Sequence, residues 1–329
     1  MRAVKNRSVY VYYAIILVFA GNAVAQEGFS RILRPIRPGK STFVKTTGMA
    51  SEDSGYGDKE LGLHRYDVML AESRAANAER EWFYSAGIKG LYMDGDLILP
   101  DTGTKVDELL QDIEFGFGSR HTRANRDMYG WFASVGSASD QAFNSYDEIS
   151  IMLNAFYKLN GSRTAAWMFM LNYSNRRSFL PNVPIPGAAY VYQPNRRTLI
   201  IAGMPFFMIR YPLGAATDLK VRYFVPDQIE IGTETRIYKN LYLLTGARKD
   251  EESYFLADRA DTDDRLYYEE SRVFGGLKWK PDEKTEVELV AGYGFDCFFY
   301  QGEDDDDDHQ DRVDLDDAAS INIALSRRF

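Results

Sequence analysis

From residue 81 onward, apolar and polar side chains alternate with a period of two, and no stretch keeps the 3.6-residue period of a helix. Trp82, Tyr84, Ala86 and Ile88 interleave with Phe83, Ser85, Gly87 and Lys89, and Ile113, Phe115 and Phe117 with Glu114, Gly116 and Gly118. Trp131, Ala133 and Val135 repeat the pattern against Phe132, Ser134 and Gly136. The longest alternation runs from Ile149 through Leu159 into Asn160-Gly161-Ser162, a tight-turn sequence, and returns through Ala165, Trp167, Phe169, Leu171 and Tyr173. That predicts a long hairpin. Residues 198–209 carry no charge and read as one strand, with Pro205 at a bulge or a weakly paired position. Closely spaced alternations follow, through Val221, Ile231, Leu243, Val273 and Leu289 to Ile321, Ile323 and Leu325. About 12 strands result, and the region 42–72 has room for two more, making 14.

Connection lengths sharpen the picture. Residues 160–163, 238–240 and 281–284 are short links, whereas 94–108, 176–196, 257–265 and 301–317 are long. Counted back from the last residue, the short links fall on one side and the long ones on the other. Short turns on one rim and long loops on the other are the habit of membrane-spanning barrels. The expected fold class is therefore all-β, a transmembrane antiparallel up-and-down β-barrel over 81–329. Residues 26–80 are left as a periplasmic extension, a plug or the first strands.

The chain has 22 tyrosines and 20 phenylalanines, yet its mean hydropathy is −0.36. A barrel with one face to lipid and one to a polar lumen gives that combination. The first residues carry Arg2, Lys5 and Arg7, then an apolar run over 9–20 and Ala23-Val24-Ala25, the layout of a secretory signal cleaved before Gln26. The run is shorter than the ~20 residues of a spanning helix. The formal charge of −9 becomes −12 without those three cations, and residues 301–317 alone hold −9 of it. Acidity is thus a property of one segment, and no basic stripe suggests nucleic acid. A single cysteine, Cys297, excludes an internal disulfide, and its parity with Phe295 predicts a lipid-facing position.

At the C-terminus, Ile321, Ile323, Leu325 and Phe329 share one face of a final strand. This resembles the terminal signal by which outer-membrane barrels are read by their assembly machinery; Arg327 stands where an aromatic residue is more usual. In the middle, Asn160-Gly161, Arg177, Leu180-Pro181, Pro184-Ile185-Pro186, Gly203-Met204-Pro205-Phe206 and Arg210-Tyr211-Pro212 resemble a group of outer-membrane barrel proteins of uncharacterised function. The resemblance implies a fold and a location, the outer membrane of a Gram-negative bacterium. It brings no catalytic residues.

Chemistry is sparse. Among the acidic residues, Asp304, Asp306 and Asp308 are weak candidates for divalent cations, because five consecutive aspartates lack the spacing and glycine of a dedicated calcium loop. A solvated outer loop extended by its own repulsion is the plainer reading. Arg176 and Arg177 open a proline-rich stretch that Arg196 and Arg197 close; folded inward, it would put four guanidinium groups around the entrance and favour anions. The plainer reading places them at the headgroup interface. Alternation turns Glu114, Glu148, Lys158, Glu230, Glu234, Arg236, Glu286 and Glu288 toward the lumen. His64, His121 and His309 stand beside no serine with an orienting partner, so no enzyme and no cofactor is expected. The expected function is a narrow porin-like channel for small solutes. A structural or surface-interaction barrel using the acidic loop is the alternative, and a membrane hydrolase a third.

Overall fold

The computed structural model describes residues 36–329 except 58, 178–179, 205, 225–227, 260 and 304–309. The secretory-signal reading of residues 1–25 lies outside the described residues, as do Pro205, Asp304, Asp306, Asp308 and His309.

Sixteen antiparallel strands close into a barrel, and two short strands lie outside the closed set. Along the chain these are β1 (Gly39–Ser51), the short β2 (Ser54–Tyr56), β3 (Lys59–Ala75), β4 (Arg80–Asp94), β5 (Leu109–Thr122) and β6 (Met128–Ser139). Next come β7 (Ile149–Asn160), β8 (Ala165–Ser174), β9 (Ile185–Tyr192), β10 (Leu199–Met204), β11 (Phe206–Pro212) and β12 (Thr217–Phe224). The last are β13 (Gln228–Tyr238), β14 (Leu241–Tyr254), β15 (Arg265–Trp279), β16 (Thr285–Gly302), the short β17 (Gln310–Leu315) and β18 (Ala318–Arg328). Each barrel strand pairs with its sequence neighbour, and β1 closes the ring against β18 in a ladder from Phe43↔Arg328 to Ser51↔Ser320. No sheet edge is left open along that seam.

The count of about 12, or 14, is therefore too low, for two reasons. Residues 39–75 supply β1 and β3, so the barrel begins well before residue 81. The proline-rich stretch holds β9, and the apolar run 198–209 is two strands, with Leu199 opposite Arg210 and Ala202 opposite Phe207.

The outer face is apolar. Leu70, Phe115, Leu153, Phe169, Ile231, Leu289 and Ile321 all stand exposed on it. The four tryptophans, Trp82, Trp131, Trp167 and Trp279, sit within four residues of the strand ends on the rim that also carries Phe329. Tryptophan at one height with an aliphatic band beyond it is how a barrel meets a bilayer and its interface. We call the Phe329 end the near rim. Phe329 donates its main-chain N–H to Thr42 O at 2.8 Å, and Arg327 lies 5.2 Å over its ring. The non-aromatic residue in the terminal motif thus covers its aromatic one.

On the far rim the barrel is pinched. The chain leaving β14 crosses the mouth and forms a parallel bridge between Phe255 and Ser139 at the end of β6. Phe255 N–H donates to Ala138 O at 2.8 Å, Asp140 N–H to Phe255 O at 3.2 Å, and Ala257 N–H to the Asp140 carboxylate at 3.0 Å. Beside this bridge the 95–108 connection folds inward. Its Leu97, Leu99 and Val106 are buried in one cluster with Leu61, Leu63, Leu266, Tyr268, Phe299 and Leu315. Each such leucine contributes about 1.5–3 kcal/mol by leaving water. Asp311, on β17, accepts the main-chain N–H groups of Asp101 and Thr102 and so moors the same connection.

Candidate functional site

The inward face of the barrel carries the charge. On the β12–β16 side, Glu234 accepts Lys220 Nζ at 2.6 Å and Lys278 Nζ at 2.9 Å, and Lys278 reaches Glu288 at 3.0 Å. Lys280 stands 3.8 Å from Glu234 and 3.7 Å from Glu286. Arg222 faces Glu230 at 3.4 Å. Nearer the far rim, Arg65 on β3 pairs with Glu270 on β15 at 3.1 Å, and Arg272 Nε donates to the same carboxylate at 2.8 Å. Strands β3 and β15 are separated in the ladder by β1, β18 and β16, so the Arg65–Glu270 pair is a chord across the lumen. The Arg65 guanidinium also lies 4.6 Å over the Tyr268 ring. Ions taken from water need such partners in fixed positions, and strand register supplies them.

Between these two groups is a cavity of about 110 Å³ lined from β1, β12, β13, β14, β15, β16 and β18. Six cationic side chains line it, Lys45, Lys220, Arg222, Arg248, Arg272 and Lys278, against two carboxylates, Glu230 and Glu288. Small residues make the room. A Cβ at Gly292 would meet Arg272 Cδ at 2.8 Å, and one at Gly246 would meet the Phe274 ring at 2.7 Å.

The remaining residues singled out from the sequence fall as follows. Glu114 is buried on the inward face of β5 and Lys158 lies inward on β7, away from the cavity. Glu148 ends a short turn before β7, buried 3.9 Å from Arg259 under the crossing chain. Arg236 is exposed at the near end of β13.

The four loop arginines do not form one ring. Arg176 and Arg177 stand at the far rim, whereas Arg196 and Arg197 lie beyond β9 at the near rim, where Arg197 Nε donates to Asp218 at 2.9 Å. The strand hidden in the proline-rich stretch carries the chain from one rim to the other. Arg176 instead joins Arg259 and Arg265 around one ring: their guanidinium groups lie 5.4, 4.8 and 4.7 Å from the centre of Phe255. Asp147 and Asp263 pair with Arg176 at 3.6 and 3.1 Å. No periodicity in the sequence announced this mouth cluster, because its members come from three connections and one strand end.

Cys297 is likewise not lipid-facing. The β15–β16 register slips between Glu269 and Ser271, Asp296 takes a positive φ of 51°, and the parity reverses. Cys297 consequently turns into the cluster with Tyr268 and Phe299.

His64 stacks on Tyr92 with ring centroids 6.1 Å apart. His121 stacks on Tyr129 at 5.1 Å, and its Nε2 lies 3.4 Å from Ser119 Oγ. Among the described residues no carboxylate accepts from either imidazole, and no three His, Cys, Asp or Glu side chains are grouped to hold a metal ion.

No family model and no curated protein matches the chain. Solved structures do. The toluene transporter TodX of Pseudomonas putida is 9% identical with a TM-score of 0.40, over 94% of each chain. An outer membrane channel from Pseudomonas putida F1 is 11% identical with a TM-score of 0.37, over 89% of this chain and 97% of that one. The translocator domain of the autotransporter NalP from Neisseria meningitidis is 8% identical with a TM-score of 0.33, over 92% and 93%. At such identities and scores the likeness adds nothing to the closed barrel that the strand pairing already establishes.

Proposed function

We propose that this chain is an outer-membrane barrel of a Gram-negative bacterium and forms a narrow, porin-like passage for small polar solutes. The observation that carries the reading is the contrast between the two faces of the closed barrel: an aliphatic and tryptophan-bearing exterior, and an interior of paired charges around a polar cavity. The near rim, with its short turns, the start of β1 and the end of β18, is the periplasmic side, and the pinched far rim faces outward. Signal cleavage, recognition of the closing strand by the barrel assembly machinery and contact with outer-membrane lipid belong to the same reading.

A barrel of sixteen strands ordinarily leaves a wide water channel. Here the crossing chain, the inward-folded 95–108 connection and the lumen ion pairs fill much of that space, which supports a narrow passage. The test is conductance in a planar bilayer. Discrete openings smaller than those of an unobstructed sixteen-strand porin are expected, growing when 97–106 is replaced by a short glycine-serine link. Silence from well-folded protein with and without that replacement refutes the channel.

The acidic segment favours a second role at the surface, binding divalent cations or anionic lipid through them. Asp311 anchors the segment's C-terminal flank inside the fold, so a deletion confined to 304–309 tests this role without unseating β17. Calcium-dependent adhesion to lipopolysaccharide vesicles should disappear while conductance persists.

A further inference from the structure

The paired charges of the lumen do not cancel evenly around the cavity. Four of its six cations are turned toward a carboxylate that does not line it: Lys220 and Lys278 toward Glu234, Arg248 toward Asp250 at 2.8 Å, and Arg272 toward Glu270. Arg222 has Glu230 and Lys278 also has Glu288. Lys45 is different. Midway along β1, it lines the cavity, and no carboxylate lies within 4.0 Å of it among the described residues. Its electrostatic neighbours are Asp67, which stands opposite Thr47 in the β1–β3 ladder and opposite Lys89 in the β3–β4 ladder, and Glu288, already held by Lys278. Two residues on, Thr47 also lines the cavity, and its buried hydroxyl has no hydrogen-bond partner.

An ammonium with no carboxylate within 4.0 Å among the described residues and an unsatisfied hydroxyl share one strand face of a cavity that six cations line against two carboxylates. Buried polar groups are ordinarily satisfied, and an anion satisfies both. The volume suits a small one, inorganic phosphate or a short carboxylate. We infer that the cavity is a binding site for one small anion, held by Lys45 Nζ and Thr47 Oγ1 and flanked by Arg222 and Arg272, so that the passage prefers anionic solutes. The preference rests on the channel reading, but the site itself does not.

The test separates site from channel. Refolded barrel in detergent is melted while potassium phosphate replaces potassium gluconate at constant ionic strength, so that screening is held fixed. Phosphate should raise the melting temperature of the wild type in a saturable manner. Lys45→Met should weaken the apparent affinity at least about tenfold, and Thr47→Val should weaken it less. Lys158→Met, which removes a lumen cation outside the cavity, should leave it unchanged. If Lys45→Met fails to fold, Thr47→Val and Lys45→Arg decide: the site requires affinity weakened in the first and kept in the second. No saturable rise in the wild type, or an equal rise in Lys45→Met, overturns the site whether or not the barrel conducts. In bilayers under a potassium chloride gradient, the reversal potential should favour chloride in wild type and move toward potassium in Lys45→Glu. A silent barrel that still binds phosphate would refute the channel and leave the site standing.

Discussion

The barrel has a tall wall and a short one. Strands β3, β4, β5, β14, β15 and β16 run 14–18 residues, whereas β9, β10 and β11 have only six to eight. At about 3.3 Å per residue, β16 is close to 60 Å long and β10 only about 20 Å before tilt. The two walls also differ inside. The tall wall points Arg65, Glu114, Arg248, Glu270, Lys278 and Glu288 into the lumen, whereas the short wall points Val191, Leu199, Ile201 and Met208. A charge in the interior needs a partner fixed by register, and long ladders fix register better than ladders of four or five pairs. Charge is therefore carried where pairing is extensive, and the short wall is held by apolar packing on both faces, in the manner of strands buried on two sides.

The comparison can be broken at its strongest point first. Glu234→Gln removes the carboxylate shared by Lys220 and Lys278, and should cost about 3–5 kcal/mol in urea unfolding from micelles, the usual penalty for stranding a buried ion. On the short wall the corresponding loss is packing. Ile201→Ala, in a fully buried inward position of β10, should cost about 2–5 kcal/mol in the same assay, without a change in ion selectivity. An arginine on the outer face then measures depth: Leu289→Arg on β16 should cost about 2–4 kcal/mol and Tyr211→Arg, near the end of β11, about 0–1 kcal/mol. Equal costs at both positions would mean that the short wall is not short relative to the membrane. The smallest effect is on bilayer thickness. Vesicles of longer acyl chains should lower stability by fractions of a kcal/mol per Å, and lengthening β10 and β11 by two residues each should remove the dependence.

What the sequence made legible followed the same division. Wherever one face was polar, the period of two was readable, and the outward residues of β4, β5, β6, β7, β8, β13, β15, β16 and β18 could be named from it. On the short wall the signal vanishes, because Leu199 and Ile201 are as apolar as the residues between them. A turn inside residues 198–209 then leaves no mark in the pattern, and two strands read as one. The prolines around Ile185 hid β9 in a similar way, and that omission misplaced Arg196 and Arg197 by the height of the barrel. Of the candidate site, the alternation turned Glu230, Glu234, Glu286 and Glu288 inward. It did not single out Lys45, Lys220, Arg222 or Lys278. Their grouping depends on which strand lies beside which after closure, and the period of a single strand does not contain that information.

The Phe255–Ser139 bridge also has a bearing on the order of assembly. Ala257 and Asp140, which it brings together, are 117 residues apart in the chain. Contacts of such separation form only after the intervening strands have found their places. The wall must therefore be largely built while its mouth still stands open, and narrowing is a late, separate event. Because the closure is made by main-chain hydrogen bonds between the end of β6 and the connection after β14, a barrel caught before that step would have its final diameter but not its final aperture.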